Sequence, residues 1–308
     1  MELITKPMTP LKDDLLTVDQ MAERYMAYMR DMAKKRFTTG MGLIDEAIRG
    51  VAPGEVLTII AYSGTYKSAY LQNLLLQAGY RSQTHQMFFS MEMPAEKCFE
   101  RAVQMAGDVT GYDVERNFKA NNEIAQVMLE NLRANGGKFL LTCEKSRLSI
   151  DKIGRYIEYA QSKYDHIGSV GIDYLGLLKA EGISMFEKVE TISFEIKDLA
   201  KRLNVPIILL GQVNRGYAQS QDKEIEMDAA KGGGGVESGA DFMFGLFKKE
   251  DELLLKILKN RNGKNGDIFK INLNPSSLRF EGVEEWKQPE QESGQKKKGK
   301  LGASQPPL

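Results

Sequence analysis

Apolar positions divide the chain into three stretches. Between Phe37 and Glu284, compact apolar runs recur at Val56–Ala61, Met87–Ser90, Phe139–Thr142, Ser169–Tyr174, Pro206–Gly211, Phe242–Phe247, Leu253–Leu258, Ile268–Leu273 and Leu278–Glu281. Each has the length and apolar character of a β-strand. Between the earlier runs lie segments with apolar residues at helical spacing, among them Ser68–Ala78, Ala95–Met105, Ile150–Lys163 and Glu187–Leu203. Strand and helix in alternation predict an α/β domain on a mostly parallel, doubly wound sheet. The last runs follow one another without helices and predict antiparallel C-terminal edge strands.

The outer stretches differ from this middle one. Over Leu15–Lys35, the residues Val18, Met21, Ala22, Tyr25, Met26, Met29, Met32 and Ala33 recur at helical spacing. Thr17 and Gln20 have the spacing of a capping box at the start of that helix. Its Met/Tyr stripe has two open destinations, the helix's own domain or the surface of a neighbouring subunit. From Gln288 onward the chain is polar, carries Pro, Gly and a Lys cluster, and has almost nothing to bury. A disordered tail is expected there, with Lys296–Lys300 either solvated or touching nucleic acid. The predicted organisation is an amphipathic-helix segment over 1–35, an α/β domain over 36–287 and a tail over 288–308.

Composition narrows the function classes. With 308 residues, 42% of them hydrophobic, the chain can build one well-packed domain with appendages but not two full domains. Forty-two basic residues balance 42 acidic ones. Nucleic acid binding would therefore need a local patch or a pore formed on assembly, not a charged surface as a whole. Cys98 and Cys143 match no metal-ligand spacing and are too few for a secreted disulfide framework, so a cytoplasmic location is expected. The first residues show no leader pattern, and no apolar run approaches the roughly 20 residues of a membrane span.

Candidate chemistry clusters at strand ends. The run Val56–Ile60 leads into Ala61-Tyr-Ser63-Gly64-Thr65-Tyr66-Lys67-Ser68, which opens a helical stretch. Strand, loop and helix in that order can cradle phosphate: backbone N–H groups and the helix dipole face the anion, a Lys reaches the outer phosphates, and a hydroxyl ligates Mg²⁺. The pattern G-x-x-x-x-G-K-[ST] is broken at both glycines, by Ala61 and by Tyr66. Tyr66 restricts the backbone and adds bulk, and Gly64 is the candidate for the lost freedom. An ordinary turn is the competing reading.

Glu92 follows the second apolar strand and is placed to orient and deprotonate an attacking water; a first-turn helix glutamate beside Pro94 reads equally well. Asp173 ends an apolar strand, as a carboxylate that holds Mg²⁺ does. Gln212 ends another, where it could sense the terminal phosphate or simply be exposed.

Taken in order, these segments resemble the C-terminal RecA-like motor domain of DnaB-type replicative DNA helicases. The likeness rests on Thr39-Gly-Met-Gly-Leu-Ile-Asp45, Gly50-Val-Ala-Pro-Gly-Glu55, the phosphate loop, Phe89-Ser-Met-Glu92-Met, Asp173-Tyr-Leu-Gly-Leu, Lys197-Asp-Leu-Ala, Gln212-Val-Asn-Arg215, Val236-Glu237-Ser-Gly-Ala-Asp241 and Lys259-Asn-Arg261-Asn-Gly263. It implies a RecA-like P-loop ATPase with ATP and Mg²⁺ as cofactors, assembled as a hexameric ring on single-stranded DNA and moving 5′→3′. By that likeness Lys67, Ser68, Glu92, Asp173 and Gln212 act within one subunit, and Lys259 and Arg261 reach the neighbour's nucleotide. DNA contacts fall to Lys179 and Lys188 after one strand and to Arg215, Lys223, Lys231, Gly232 and Gly233 after another, segments that read equally as linkers. A helicase loader or a primase is the implied further partner.

Departures are Tyr66, the glycine run at 232–235 and the 35 residues that stand before the motor. The last predicts a motor-only protein without the usual N-terminal helical domain, as in a phage, plasmid or other mobile element. Two further functions stay open: a RecA-like ATPase that switches in recombination or loading without unwinding, and a non-hydrolysing scaffold whose loop Tyr66 has spoiled.

Overall fold

The computed structural model describes residues 15–164, 166–179, 184–213, 224–229 and 234–286. Two helices come first, α1 (Val18–Lys35) and α2 (Gly42–Ile48). Then follow β1 (Val56–Ala61), α3 (Lys67–Ser82), β2 (His85–Ser90), α4 (Ala95–Gly107), α5 (Gly111–Ala120), α6 (Glu123–Ala134) and β3 (Leu140–Cys143). The second half runs α7 (Ile150–Tyr164), β4 (Ile167–Asp173), α8 (Met185–Leu203), β5 (Ile207–Gln212), α9 (Gly234–Gly239) and four strands, β6 (Phe242–Lys249), β7 (Glu252–Asn260), β8 (Ile268–Asn274) and β9 (Arg279–Glu285).

All the strands lie in one sheet of order β3-β2-β4-β5-β1-β6-β7-β8-β9. Pairing is parallel from β3 to β6 and antiparallel from β6 to β9. Each predicted apolar run is a strand, with ends shifted by a few residues. β1 is central, flanked by β5 and β6, and all its residues are buried. That position explains its continuous Val-Leu-Thr-Ile-Ile-Ala: both faces of the strand are covered.

The two faces carry separate apolar cores. One gathers Ile44 and Ile48 of α2, Leu71, Leu74 and Leu75 of α3, and Val103 of α4 against Leu57, Ile59, Phe242 and Phe244. The other gathers Ile153 and Ile157 of α7 and Ile192, Ile196 and Leu199 of α8 against Ile60, Ile172, Leu209 and Met243. Leu75 has no exposed surface, so truncating it to Ala costs about 2–5 kcal/mol.

Helix starts follow local chemistry. Thr17 caps α1 by accepting from Gln20 N–H while the Gln20 side chain accepts from Thr17 N–H, and Ser184 and Glu187 cap α8 in the same way. Thr110 and Asn122 cap α5 and α6. These two helices are not among those that the apolar spacing picks out, because each buries few residues and α6 also carries apolar residues, Ile124 and Val127, on its exposed side.

Most of the α1 stripe lies open to solvent in the described structure. Residues 18–30 are exposed throughout, with Tyr25 at 61% and Met26 at 57%, and Met32 near the C-terminal end is buried. Over 18–30 the described residues give the stripe no intramolecular cover. The predicted tail from Gln288 lies outside the described residues. No described helix is long and apolar enough to cross a membrane.

Candidate active site

In an open α/β sheet, ligands bind beyond the C-terminal ends of the strands, and here that edge collects the predicted residues. β1 ends at Ala61, and the loop 62–66 then feeds directly into α3. The Thr65 hydroxyl donates to the Tyr62 carbonyl at 2.6 Å, closing the loop on itself, while Ser63 and Gly64 stay exposed. Gly64 has φ +83°, a left-handed conformation that glycine accepts without steric cost. Tyr66 also has a left-handed backbone, φ +59°, and stands as the N-cap of α3. The missing glycine is thus not bypassed: its backbone conformation is kept by a tyrosine. The ring of Tyr66 packs at the rim of the apolar core, under Lys248 Nζ, which lies 4.7 Å from the ring centroid.

Lys67 opens α3, where unpaired backbone N–H groups favour an anion. Its Nζ lies 3.9 Å from Glu92 Oε2 and 5.1 Å from the centroid of the Tyr174 ring. Glu92 follows the end of β2, and about half of its side chain is exposed to water. Ser90 is the register partner of Asp173, and Met91 N–H donates to the Asp173 carbonyl, so β2 and β4 end side by side. Gln212 is the register partner of Ala61, next to the start of the loop. Lys67, Ser68, Glu92, Asp173 and Gln212 therefore share one edge.

Asp173 is the most confined of these groups. It is 1% exposed, and neither carboxylate oxygen has a hydrogen bond of good geometry. Burial raises its pKa above the ordinary carboxylate range; the nearby Ser68 hydroxyl and Lys67 pull it down, Glu92 pushes it up and Arg101 pulls it down. A buried bare carboxylate is costly unless something pairs with it. This one, beside a serine hydroxyl, suits a divalent cation that keeps its own waters and takes one protein carboxylate. Among the described residues no cluster of three or more His, Cys, Asp or Glu could hold a metal by itself.

Arg101 is a site residue that the apolar pattern does not flag. It projects from α4 toward Asp173 and Glu92, burial lowers its pKa, and its Nη1 is buried without a partner. The signal was present: with Cys98, Ala102 and Met105 buried on α4, a cation at position 101 falls on the inward face.

Lys259 and Arg261 lie elsewhere. Asp241, 3% exposed, accepts from Val56 N–H at 2.8 Å, from Lys197 Nζ at 2.5 Å and from Arg261 Nη1 at 2.8 Å. Burial alone would raise its pKa, but the hydrogen bonds from Lys197, Val56 and Arg261 hold it below the ordinary range. Lys259 Nζ donates to the Glu237 carbonyl at 2.9 Å. Val56 begins β1, so these groups occupy the opposite edge of the sheet from Lys67.

Of the residues predicted to meet DNA, Lys179 and Lys188 are exposed, the first bridging to Ser149 beyond β4 and the second in the opening turns of α8. Arg215, Lys223, Lys231, Gly232 and Gly233 lie outside the described residues.

Residues 37–282 match the model of the DnaB-like helicase C-terminal domain. The chain belongs to this family. Among its relatives, the replicative DNA helicase DnaB of Mycoplasma genitalium is 27% identical over 263 residues, covering 79% of this chain and 55% of the relative. The corresponding DnaB of Haemophilus influenzae is 26% identical, with 80% and 55% covered. A probable plasmid replicative DNA helicase of Chlamydia trachomatis is 24% identical, again with 80% and 55% covered. The chain thus spans about 55% of the length of these relatives.

Two solved structures share the fold. The ATPase domain of G40P superposes with a TM-score of 0.73 at 20% identity, covering 87% of this chain and 99% of that one. A DnaB-like replicative helicase, studied for its interactions with primase, superposes with a TM-score of 0.75 at 19% identity, covering 87% and 69%. The predicted RecA-like α/β architecture and the DnaB-like resemblance both hold for this chain.

Proposed function

We propose that this DnaB-like chain is an Mg²⁺-dependent ATPase whose cycle drives translocation on single-stranded DNA and duplex unwinding, as one subunit of a hexameric ring. The observation that carries the reading is the convergence of Lys67, Glu92 and a bare, buried Asp173 on one phosphate loop. Lys67 and the N–H groups of the loop and the first turn of α3 bind the phosphates. Glu92, reached by solvent, orients a water and takes its proton. Gln212, beside the loop, couples the terminal phosphate to the segment that follows β5. Ser68 and Asp173 would hold Mg²⁺, which supplies charge compensation to the phosphates when bound.

The exposed apolar stripe of α1 supports assembly, since Met21, Tyr25, Met26, Tyr28 and Met29 find no cover among the described residues. In the ring, Lys259 and Arg261 extend toward the neighbour's nucleotide, and single-stranded DNA threads past the segments after β4 and β5. A loader or primase remains the implied further partner, and the cytoplasm the implied location.

The test is ATP hydrolysis with and without single-stranded DNA, followed by unwinding of a forked duplex, with Lys67→Ala as control. DNA-stimulated hydrolysis together with unwinding is expected. Hydrolysis without unwinding would assign the chain to the RecA-like switches. Absence of both nucleotide binding and hydrolysis would leave a scaffold.

A further inference from the structure

One cavity adjoins the phosphate loop and takes no part in phosphate chemistry. It measures about 600 Å³ and lies against Tyr66, Lys248, Leu253, Lys270, Leu273 and Asn274, among other residues. Sheet topology fixes its position. β6 runs parallel to β1 and β8 antiparallel to β7, so Lys248 and Asn274 stand at the same edge as the loop. The pocket thus begins one residue from Lys67, on the side of the antiparallel strands and away from Glu92 and Asp173. Its volume falls in the range of small-molecule pockets and exceeds what a phosphate chain alone requires.

Tyr66 forms the shared wall between loop and cavity. Lys248 Nζ stands over the ring at 4.7 Å from its centroid and makes no salt bridge among the described residues. That ring face therefore meets a cation at the cavity wall and not packed apolar side chains. A flat base is the other group that such a face receives, through stacking. A glycine at position 66 would offer neither wall nor face, so the feature belongs to this chain's departure from the glycine pattern.

We propose that this cavity takes the nucleoside end of the nucleotide, with the base stacked on the Tyr66 face that Lys248 now covers. Lys248 then moves aside as the base enters. The proposal rests on the nucleotide reading above and assigns Tyr66 to nucleoside recognition instead of obstruction.

Calorimetric titration of the full chain with AMPPNP and, separately, with inorganic tripolyphosphate, both in Mg²⁺, tests it. Wild type should bind AMPPNP more tightly than tripolyphosphate. Tyr66→Leu should weaken AMPPNP roughly tenfold more than it weakens tripolyphosphate, the scale of one base–aromatic stack. Tyr66→Phe should behave as wild type. Lys248→Met, outside the loop, should keep or improve AMPPNP binding. An unchanged ratio of the two ligands in Tyr66→Leu overturns the proposal, as does a Lys248→Met loss equal to that of Tyr66→Leu. Either result leaves the nucleotide reading intact, whereas failure of wild type to bind both ligands removes that reading and this inference together.

Discussion

Arg261 Nη1 lies 2.8 Å from Asp241 Oδ1, at the edge of the sheet opposite the loop that carries Lys67. Asp241 also accepts from Val56 N–H at the first residue of β1, and the loop follows the last. Six strand residues cover roughly 20 Å, farther than an extended arginine reaches. Arg261 therefore cannot act on its own chain's phosphate loop, and two thirds of its side chain is exposed toward whatever lies beyond.

If Arg261 serves a neighbour's nucleotide, Arg261→Ala should bind nucleotide as wild type does and hydrolyse it about 10³-fold more slowly or worse. Mixed with Lys67→Ala, it should recover part of the rate, because a mixed interface joins an intact loop to an intact arginine. Phosphate release across a series of mixing ratios measures this. No recovery at any ratio would confine Arg261 to its contact with Asp241.

Asp241→Asn should be strongly destabilising, by about 3 kcal/mol at pH 7, since Lys197 is left nearly buried without its anion. The folded-state pKa of Asp241 is depressed. Its contribution is therefore complete above the unfolded value of about 3.9 and is lost as pH falls through the lower folded value. Urea denaturation should show the gap between wild type and variant at pH 7 and at pH 5, and show it closing below pH 4. A gap of the same size at pH 3 would contradict the assignment.

Asp173 points the opposite way. Burial has raised its pKa in spite of the pull of the Ser68 hydroxyl, Lys67 and Arg101, so the charged carboxylate is costly in the free protein. Asp173→Asn should raise the ligand-free stability by about 1 kcal/mol, the scale of an unsatisfied buried group. It should also abolish the gain in Tm that Mg²⁺ and nucleotide give the wild type. Thermal scans with and without ligand decide it, and an unchanged ligand-induced gain would remove Asp173 from the cation site.

Replacing Met21, Tyr25 and Met29 of α1 together by Ser should leave the fold intact, because these side chains are exposed. The effect on unfolding of the monomer should stay within about 0.5 kcal/mol for each position. Sedimentation velocity should instead show a lower oligomeric state at equal concentration. Unchanged assembly would mean that the stripe is covered by something other than a second copy.

Much of the fold was legible because burial on both faces forces strand residues to be apolar in unbroken runs. Val56–Ala61 shows this best, with the same bounds in sequence and structure. Helices α5 and α6 were harder, since only a few residues such as Val114 and Leu132 are buried and exposed Ile124 and Val127 blur the apolar stripe of α6. At the site, Lys67, Glu92 and Asp173 could be found because each ends a strand or opens a helix. Arg101 could not be found in that way, because its approach to Asp173 depends on where α4 lies over the sheet. The pairing of Tyr66 with Lys248 was equally hidden. Residues 66 and 248 meet only because β6 lies beside β1, a neighbour relation that no local pattern encodes.

The placement of Asp241 gives β1 a mechanical meaning. One end of that strand is pinned through Val56 to the carboxylate that holds Arg261, and the other end becomes the phosphate loop. The strand is buried along its whole length and hydrogen-bonded on both sides, so it behaves as a stiff rod. Held by both neighbours, it keeps the phosphate loop and the arginine a fixed distance apart. In the proposed ring, the strand would therefore set the spacing between the nucleotide a subunit binds and the arginine it offers its neighbour.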